Sequence, residues 1–382
     1  MTEKRKLMRV ATIAASIGGL LKGQLSFMSQ YYNVSAVSSP NNDTLRKIGH
    51  REGIAVFPVE MSRSISLIQD FKSIWHLYWL FKKEKPYIVH SITPKAGLLT
   101  MVAAYAAGVP NRLHTFTGLI FPTKTGGMQR LLIMMDRILC FCATNVYPEG
   151  KGVKNDLEKF KITSKPLKVI ANGNVNGIDL EHFDPDIFSE AEKENLRRKL
   201  EIDADNYVFL FAGRIVADKG INELISAFQR LHKSNPKTVL LLLGDHEKEL
   251  NPISPESERI LEIHENIICT GWQEDVRPFF AISDCMVLPS YREGFPNTVI
   301  QAGAMKLPSI VTDISGCNEI IIEGANGTII PVKDSDILYK RMLEFVDKVK
   351  IYQPEECRRL IATRYEQSYV WEKLLEEYQN LN

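Results

Sequence analysis

Residues Phe209-Leu-Phe-Ala-Gly213-Arg214-Ile-Val-Ala-Asp-Lys219-Gly220 join an apolar run to a glycine, two cations five positions apart and a second glycine. The run starts at Tyr207, and a short apolar stretch closed by glycine predicts a strand buried on both faces. Gly220–Ser234 then has helical spacing. Strand, glycine loop and helix in that order begin a parallel crossover unit. In such sheets the loop after a strand is where ligands bind. Its amides and the positive end of the next helix favour an anion. Arg214 offers a planar fork and Lys219 a point charge, a pair suited to a diphosphate. Two solvated cations on a loop are the plain alternative.

The same alternation continues on both sides. Downstream, Thr238–Leu243 runs into Gly244-Asp245, and Ile267–Thr270 into Gly271-Trp272. Cys285–Leu288 and Ser309–Thr312 are further strands; Asn297–Met305 and Ile337–Val349 have helical spacing. Upstream, Arg9–Ala15, Val34–Val37, Tyr87–Ser91, Arg112–Phe116 and Lys168–Ile170 predict strands. Ser66–Lys83, Ala96–Ala107 and Met128–Thr144 predict helices between them. The expectation is an α/β protein of two Rossmann-like domains facing across a cleft. Residues 1–185 form the first domain and 186–365 the second, with a last helix over 366–382 packing back on the first.

The 382 residues are 45% hydrophobic and 24% charged, an ordinary globular balance with room for two cores. Six scattered cysteines form no CxxC pair and no zinc spacing, which points to reduced thiols in a cytoplasmic protein. The apolar start Val10–Leu21 is interrupted by Gly18 and Gly19 and followed by Lys22, unlike a secretory leader. Leu131–Val146 is broken by Asp136, Arg137 and Asn145, so no transmembrane helix is expected. The net charge of +1 hides an asymmetry: residues 1–180 hold 24 Lys+Arg against 11 Asp+Glu, and residues 181–382 hold 23 against 35. A basic half suits an anionic partner such as a membrane surface, a diphosphate or nucleic acid. Attraction between the halves is the other explanation. No nucleic-acid-binding module is present in the pattern, so nucleic acid is not expected.

A second loop carries chemistry: Leu288-Pro289-Ser290-Tyr291-Arg292-Glu293-Gly294-Phe295-Pro296-Asn297-Thr298-Val299-Ile300-Gln301-Ala302. A strand ends at Pro289 and a helix starts near Asn297. Glu293 lies between, where a carboxylate can accept bonds from sugar hydroxyls, and the first helical amides point outward; a capped turn with a solvated acid is the plain alternative. A third signal, Ser16-Ile17-Gly18-Gly19, is weaker. Glycine after a first strand admits a close ligand, but the full dinucleotide fingerprint is missing.

The R-x4-K loop, the Glu-Gly-Phe-Pro loop and Pro289-Ser290 together resemble glycosyltransferase family 4, the retaining enzymes of the GT-B fold. Leu20-Leu21-Lys22-Gly23-Gln24-Leu25, Thr93-Pro94-Lys95-Ala96-Gly97, His114-Thr-Phe-Thr-Gly118 and Asn172-Gly173-Asn174 resemble its bacterial capsule, O-antigen and lipid-linked glycan branch. The resemblance spans nearly the whole chain.

It implies that Arg214 and Lys219 bind the donor diphosphate and Glu293 the donor sugar, with the backbone from Gly294 through Phe295, Asn297 and Thr298 around them. Gly18, Gly19, Gly213 and Gly244 would admit the nucleotide. Trp272 would stack on the base or belong to the core. Gln301 stands where the family has a second glutamate for the ribose, and Thr117 where many relatives have a sugar-binding histidine. His114 and His90 are the candidates to replace that histidine, with a structural place inside the strand as the alternative for each. Lys22 and Lys95 would meet an acceptor diphosphate. The helix at Ser66–Lys83 carries Phe71, Trp75, Tyr78, Trp79 and Phe81 among Lys72, Lys82 and Lys83. It either packs its apolar face in the core or lies on a membrane. The implied activity is transfer of a sugar, UDP-linked, to a glycan or lipid-linked acceptor, with no metal and no further cofactor. The implied place is the cytoplasm, with peripheral membrane contact left open. A sugar-nucleotide 2-epimerase and a non-catalytic sugar-nucleotide-binding relative remain as alternatives.

Overall fold

The computed structural model describes residues 4–40, 42–62, 66–249 and 251–381. The chain divides into two units, residues 1–177 with 367–382, and residues 178–366.

The first unit alternates strand and helix: β1 (Lys6–Ile13), α1 (Ala14–Leu20), α2 (Gln24–Ser29), β2 (Asn33–Ser39), α3 (Thr44–Glu52), β3 (Ala55–Pro58) and α4 (Leu67–Glu84). It continues with β4 (Ile88–Ser91), α5 (Pro94–Ala107), β5 (Asn111–Phe116), α6 (Gly126–Cys142), β6 (Asn145–Pro148) and α7 (Lys151–Lys159). The strands form a parallel sheet in the order β3-β2-β1-β4-β5-β6. Right-handed crossovers send connections that travel in opposite directions to opposite faces. Accordingly one apolar cluster gathers Leu77 and Phe81 of α4, Leu99 of α5 and Leu139 of α6. The other gathers Ile17, Leu25 and Leu45 of the first three helices.

The second unit runs α8 (Glu190–Lys199), β7 (Tyr207–Ala212), α9 (Ile221–Ser234), β8 (Thr238–Leu243), α10 (Pro255–Ile263), β9 (Ile267–Gly271), α11 (Arg277–Ala281) and β10 (Cys285–Leu288). Then come α12 (Asn297–Ala304), β11 (Ser309–Thr312), α13 (Cys317–Ile320), β12 (Gly327–Ile330), α14 (Ser335–Val346) and α15 (Pro354–Tyr365). Its parallel sheet has the order β12-β11-β10-β7-β8-β9. The central strands read Phe-Leu-Phe and Leu-Leu-Leu because helices cover both faces; Phe209, Leu210, Phe211 and Leu240–Leu242 are all fully buried.

The last helix, α16 (Gln367–Gln379), belongs to the first unit. Its Tyr378 hydroxyl accepts from the buried Arg9 guanidinium at 2.8 Å and bonds His90 Nδ1 at 2.6 Å. Gln24 accepts a second bond from Arg9 at 2.9 Å and passes the network on to Val175 O at 2.8 Å. A buried guanidinium requires such partners, and they fix α16 in register.

Two sequence expectations change here. The first strand stops at Ile13, and Gly18 and Gly19 lie inside α1 rather than in a loop after a strand. Lys168–Ile170 joins no sheet; single bridges flank it, Leu167 with Val146 and Ala171 with Gly173. Among the described residues, no helix is long and apolar enough to cross a membrane.

Candidate active site

Strand order in the second sheet reverses between β7 and β10, which are neighbours although far apart in sequence. Connections leave these two strands toward opposite faces and open a crevice at their carboxyl ends. The R-x4-K loop follows β7 and the glutamate loop follows β10, so both motifs meet at this switch point.

Lys219 Nζ donates to Glu293 Oε1, with both side chains largely buried. The backbone holds this pair in place. Tyr291 N donates to Asp218 O at 2.9 Å, and Ser290 Oγ to the same carbonyl at 3.3 Å. Arg292 grips the Asp218 carboxylate through Nη2 at 3.0 Å and Nε at 3.2 Å. Gly220, next to Lys219, has φ +72°, and a Cβ there would stand 2.1 Å from Pro289 O. Only glycine lets the two loops approach this closely. Tyr291 Oη donates to Glu223 Oε1 at 2.6 Å. Burial first, and then the Glu223 carboxylate, raise the phenol above its usual range, so it stays a donor.

A third loop backs the glutamate. Gly316, after β11, lies against Gly294 O and the Phe295 backbone. Cys317 beside it is fully buried, and its thiol is pushed up by burial and then by the Glu293 charge.

Arg214 faces another way. Its Nη1 donates to Glu247 Oε2 at 2.7 Å, and its side chain is half exposed. The strand ends beside it are stitched in steps: Gly213 N donates to Leu243 O, and Gly244 N to Gly271 O, each at 2.9 Å. Gly244 has φ +134°, and a Cβ there would meet Gly213 O at 2.0 Å. Trp272 is 67% exposed, with its backbone N donating to Asp245 Oδ1 at 3.2 Å. It is a surface ring at a strand end, not part of the core.

Helix α12 begins after Pro296, a residue with no capping side chain. Asn297 is exposed, while Thr298 and Gln301 are half-buried along its first turns. The Phe295 ring packs inward on Tyr365, 5.5 Å between centroids. Among the described residues, no group of three His, Cys, Asp or Glu side chains is placed to hold a metal ion.

The first unit corrects the reading of its two histidines. His114 is fully buried, its Nδ1 bonded to Ser91 Oγ at 2.8 Å and its ring packed edge-on to Phe116. Burial lowers it to about 3, so it is a neutral core residue rather than a catalytic one. His90 is also buried, between Tyr378 and Thr115 Oγ1, and is held neutral by burial and then by Arg9. Both sit mid-sheet, where helices cover either face. Gly18 faces Ile48 of α3, with a Cβ position 2.9 Å from Ile48 Cδ1, and Gly19 is exposed; both lie inside α1. Lys95 is tied to Asp70 of α4 at 2.5 Å and is largely buried. Thr117 donates to Ile92 O at 2.9 Å at the end of β5. Lys22 is exposed, and its carbonyl accepts from Asn176 at 3.0 Å.

Sequence reasoning missed Asp218, Glu223, Glu247 and the Gly316-Cys317 turn. The last was open to the strand-end rule already used, since it follows β11. The acids gain meaning only through partners tens of residues away.

Comparison with known proteins gives this geometry a family. Residues 192–367 match the family described as glycosyl transferases group 1, and residues 20–147 match the family described as glycosyl transferase 4-like. The chain is 30% identical over 318 residues to an Escherichia coli protein named UDP-Gal:alpha-D-GlcNAc-diphosphoundecaprenol alpha-1,3-galactosyltransferase, covering 81% of this chain and 80% of that one. It is 29% identical to the capsular polysaccharide biosynthesis glycosyltransferase CapM of Staphylococcus aureus, covering 98% and 97%. Among solved structures, HepE of Anabaena in complex with UDP and glucose superposes with a TM-score of 0.81 at 16% identity, covering 99% of this chain and 100% of that one. The two parallel sheets, the charged loops at the second switch point and these matches have one reading: the chain belongs to the group 1 glycosyltransferases, family 4-like enzymes of the GT-B fold.

Proposed function

We propose that this glycosyltransferase moves a sugar from a UDP-linked donor to a lipid-diphosphate-linked acceptor at the cytoplasmic side of a membrane, with retention and without a metal. The observation that carries the donor half is the Lys219–Glu293 pair at the β7/β10 switch point. It sets a cation and a hydrogen-bond acceptor side by side where a diphosphate and its sugar would lie. The UDP and glucose bound to HepE support the donor class. The diphosphoundecaprenol in the name of the Escherichia coli relative supports the acceptor class.

In this account Glu293 accepts from the sugar hydroxyls, and Lys219 turns part of its charge to the phosphates. Arg214 leaves Glu247, a loss that costs little because a half-exposed pair contributes little. The acceptor oxygen bonds to the anomeric carbon on the face from which the diphosphate departs. The carbon–oxygen bond to the β-phosphate breaks, and the released phosphate oxygen takes the acceptor proton. Lys219 and Arg214 stabilise the negative charge growing on the leaving group, which is where fixed cations lower a barrier most. Gln301 meets the ribose as a neutral amide, able to donate as well as accept.

Transfer to a lipid-diphosphate acceptor, followed in EDTA with purified protein, tests this. Arg214→Ala and Lys219→Ala are each expected to slow transfer by about 10²–10³-fold. Wild-type rates in both variants, or full dependence on an added divalent ion, would overturn the donor assignment.

A further inference from the structure

Helix α4 has two apolar faces, and only one is used by the fold. Ser73, Leu77 and Phe81 are buried against the sheet. On the other side Leu67, Phe71, Trp75 and Trp79 succeed one another at four-residue intervals, at 83%, 70%, 54% and 53% exposure. Spacing of four keeps them on one stripe over more than three turns. A water-facing stripe of this size is unusual for a surface helix and marks a contact.

Helix α6 repeats the pattern on the far side of α5. Met134, Ile138 and Phe141 are exposed at 52%, 42% and 69%. Tyr105 of α5, itself half exposed, meets the Phe141 ring at 5.8 Å and bridges toward it. All three helices lie on one face of the first sheet, so the two stripes belong to the same side of the unit.

Charge on that side is positive. Lys72, Lys82 and Lys83 on α4 and Arg130 and Arg137 on α6 are exposed. The acids of these helices are engaged or withdrawn: Asp70 with Lys95, Glu84 with Lys6 at 3.0 Å, and Asp136 raised to about 7 by burial. A cationic rim around tryptophan and phenylalanine suits an anionic bilayer, where such rings settle at the headgroups and lysines reach the phosphates. Helix α4 runs antiparallel to the strands, so Leu67 and Phe71 lie toward their carboxyl ends, the ligand side of such a sheet.

We propose that the α4–α6 face of the first unit seats this enzyme on an anionic lipid bilayer, with the Trp75 and Trp79 rings in the headgroup layer. The proposal rests on the lipid-linked acceptor for its purpose, because it would bring the ligand end of the sheet to the surface in which that acceptor is anchored.

Flotation of the full chain with vesicles of phosphatidylcholine alone, or with 30 mol% phosphatidylglycerol (about the charge of an anionic leaflet), tests it. Wild type should float at least tenfold more with the anionic vesicles, with a blue shift in tryptophan emission. Trp75→Ser/Trp79→Ser and, separately, Lys82→Glu/Lys83→Glu should each lose that binding at least tenfold. Both should keep the wild-type melting temperature and UDP affinity. Flotation equal to wild type in both variants overturns the proposal. So does a wild type that ignores the vesicles, or one that forms a dimer which the tryptophan variant abolishes. Vesicle binding with no UDP affinity in wild type would instead sink the donor assignment and leave this surface standing.

Discussion

Lys219 and Glu293 show how much one contact can settle. Each charge is mostly withdrawn from water and has the other as its partner, so neither is an incidental surface group. His114 gives the opposite lesson. Its position near a family motif drew attention, yet β5 is covered on both faces and leaves a mid-strand ring nowhere to go but the core. That burial has a consequence for stability. The unfolded chain protonates His114 near 6.5, whereas the fold resists down to about 3. Between those values the unfolded state binds more protons, so stability falls as pH falls, by about 1.4 kcal/mol per pH unit for this group. Urea titrations from pH 7 to pH 4 should show a shallower acid loss in His114→Asn than in wild type, whatever the offset between them. Parallel slopes would show that the ring is not the proton acceptor. Lys219 and Glu293 were legible because both follow a strand that ends in a glycine or proline loop. Arg214's turn to Glu247 and Lys95's tie to Asp70 were not, since each partner comes from a separate element.

At the scale of elements, long apolar strands and helices could be read directly, and short edge strands could not. β3 is Ala-Val-Phe-Pro and β12 is Gly-Thr-Ile-Ile, four residues each at sheet edges, with a proline or glycine that reads as a turn. Glycine misled in one place and informed in another. Gly19 lies in α1 with nothing within 4 Å of its Cβ position, so it has no steric need to be glycine. Gly220 ends the R-x4-K turn at φ +72° against Pro289 O. Gly19→Ala is therefore expected to stabilise the chain by about 0.5–1 kcal/mol. Gly220→Ala should destabilise it by about 1–3 kcal/mol and weaken UDP binding, because it pushes the two loops apart. Melting curves and a UDP titration of both variants check the pair. Equal stability of the two would show that the loop contact is not constrained as described. Helix α4 also divides what the sequence left as one choice: Leu77 and Phe81 serve the core, while Trp75 and Trp79 remain outside it.

Across the whole molecule, strand alternation indicated two parallel sheets, and strand order then brings the two charged loops of the second sheet together. Lys219 and Glu293, in the motifs after β7 and β10, are 74 positions apart in sequence, and the reversal of order makes their strands neighbours. The boundary falls at residues 177 and 178, and α16 returns to the first unit through Arg9, Tyr378 and His90. The charge asymmetry also acquires a physical setting, with exposed cations beside the apolar stripes of α4 and α6. The central claim remains that the second unit's switch-point loops hold the donor through Lys219 and Glu293. Calorimetric titration of UDP and of a UDP-sugar into wild type, Lys219→Ala and Glu293→Gln tests it most directly. The account predicts that Lys219→Ala weakens both ligands at least tenfold, while Glu293→Gln weakens the UDP-sugar much more than UDP. Unchanged affinity for both ligands in both variants would contradict it.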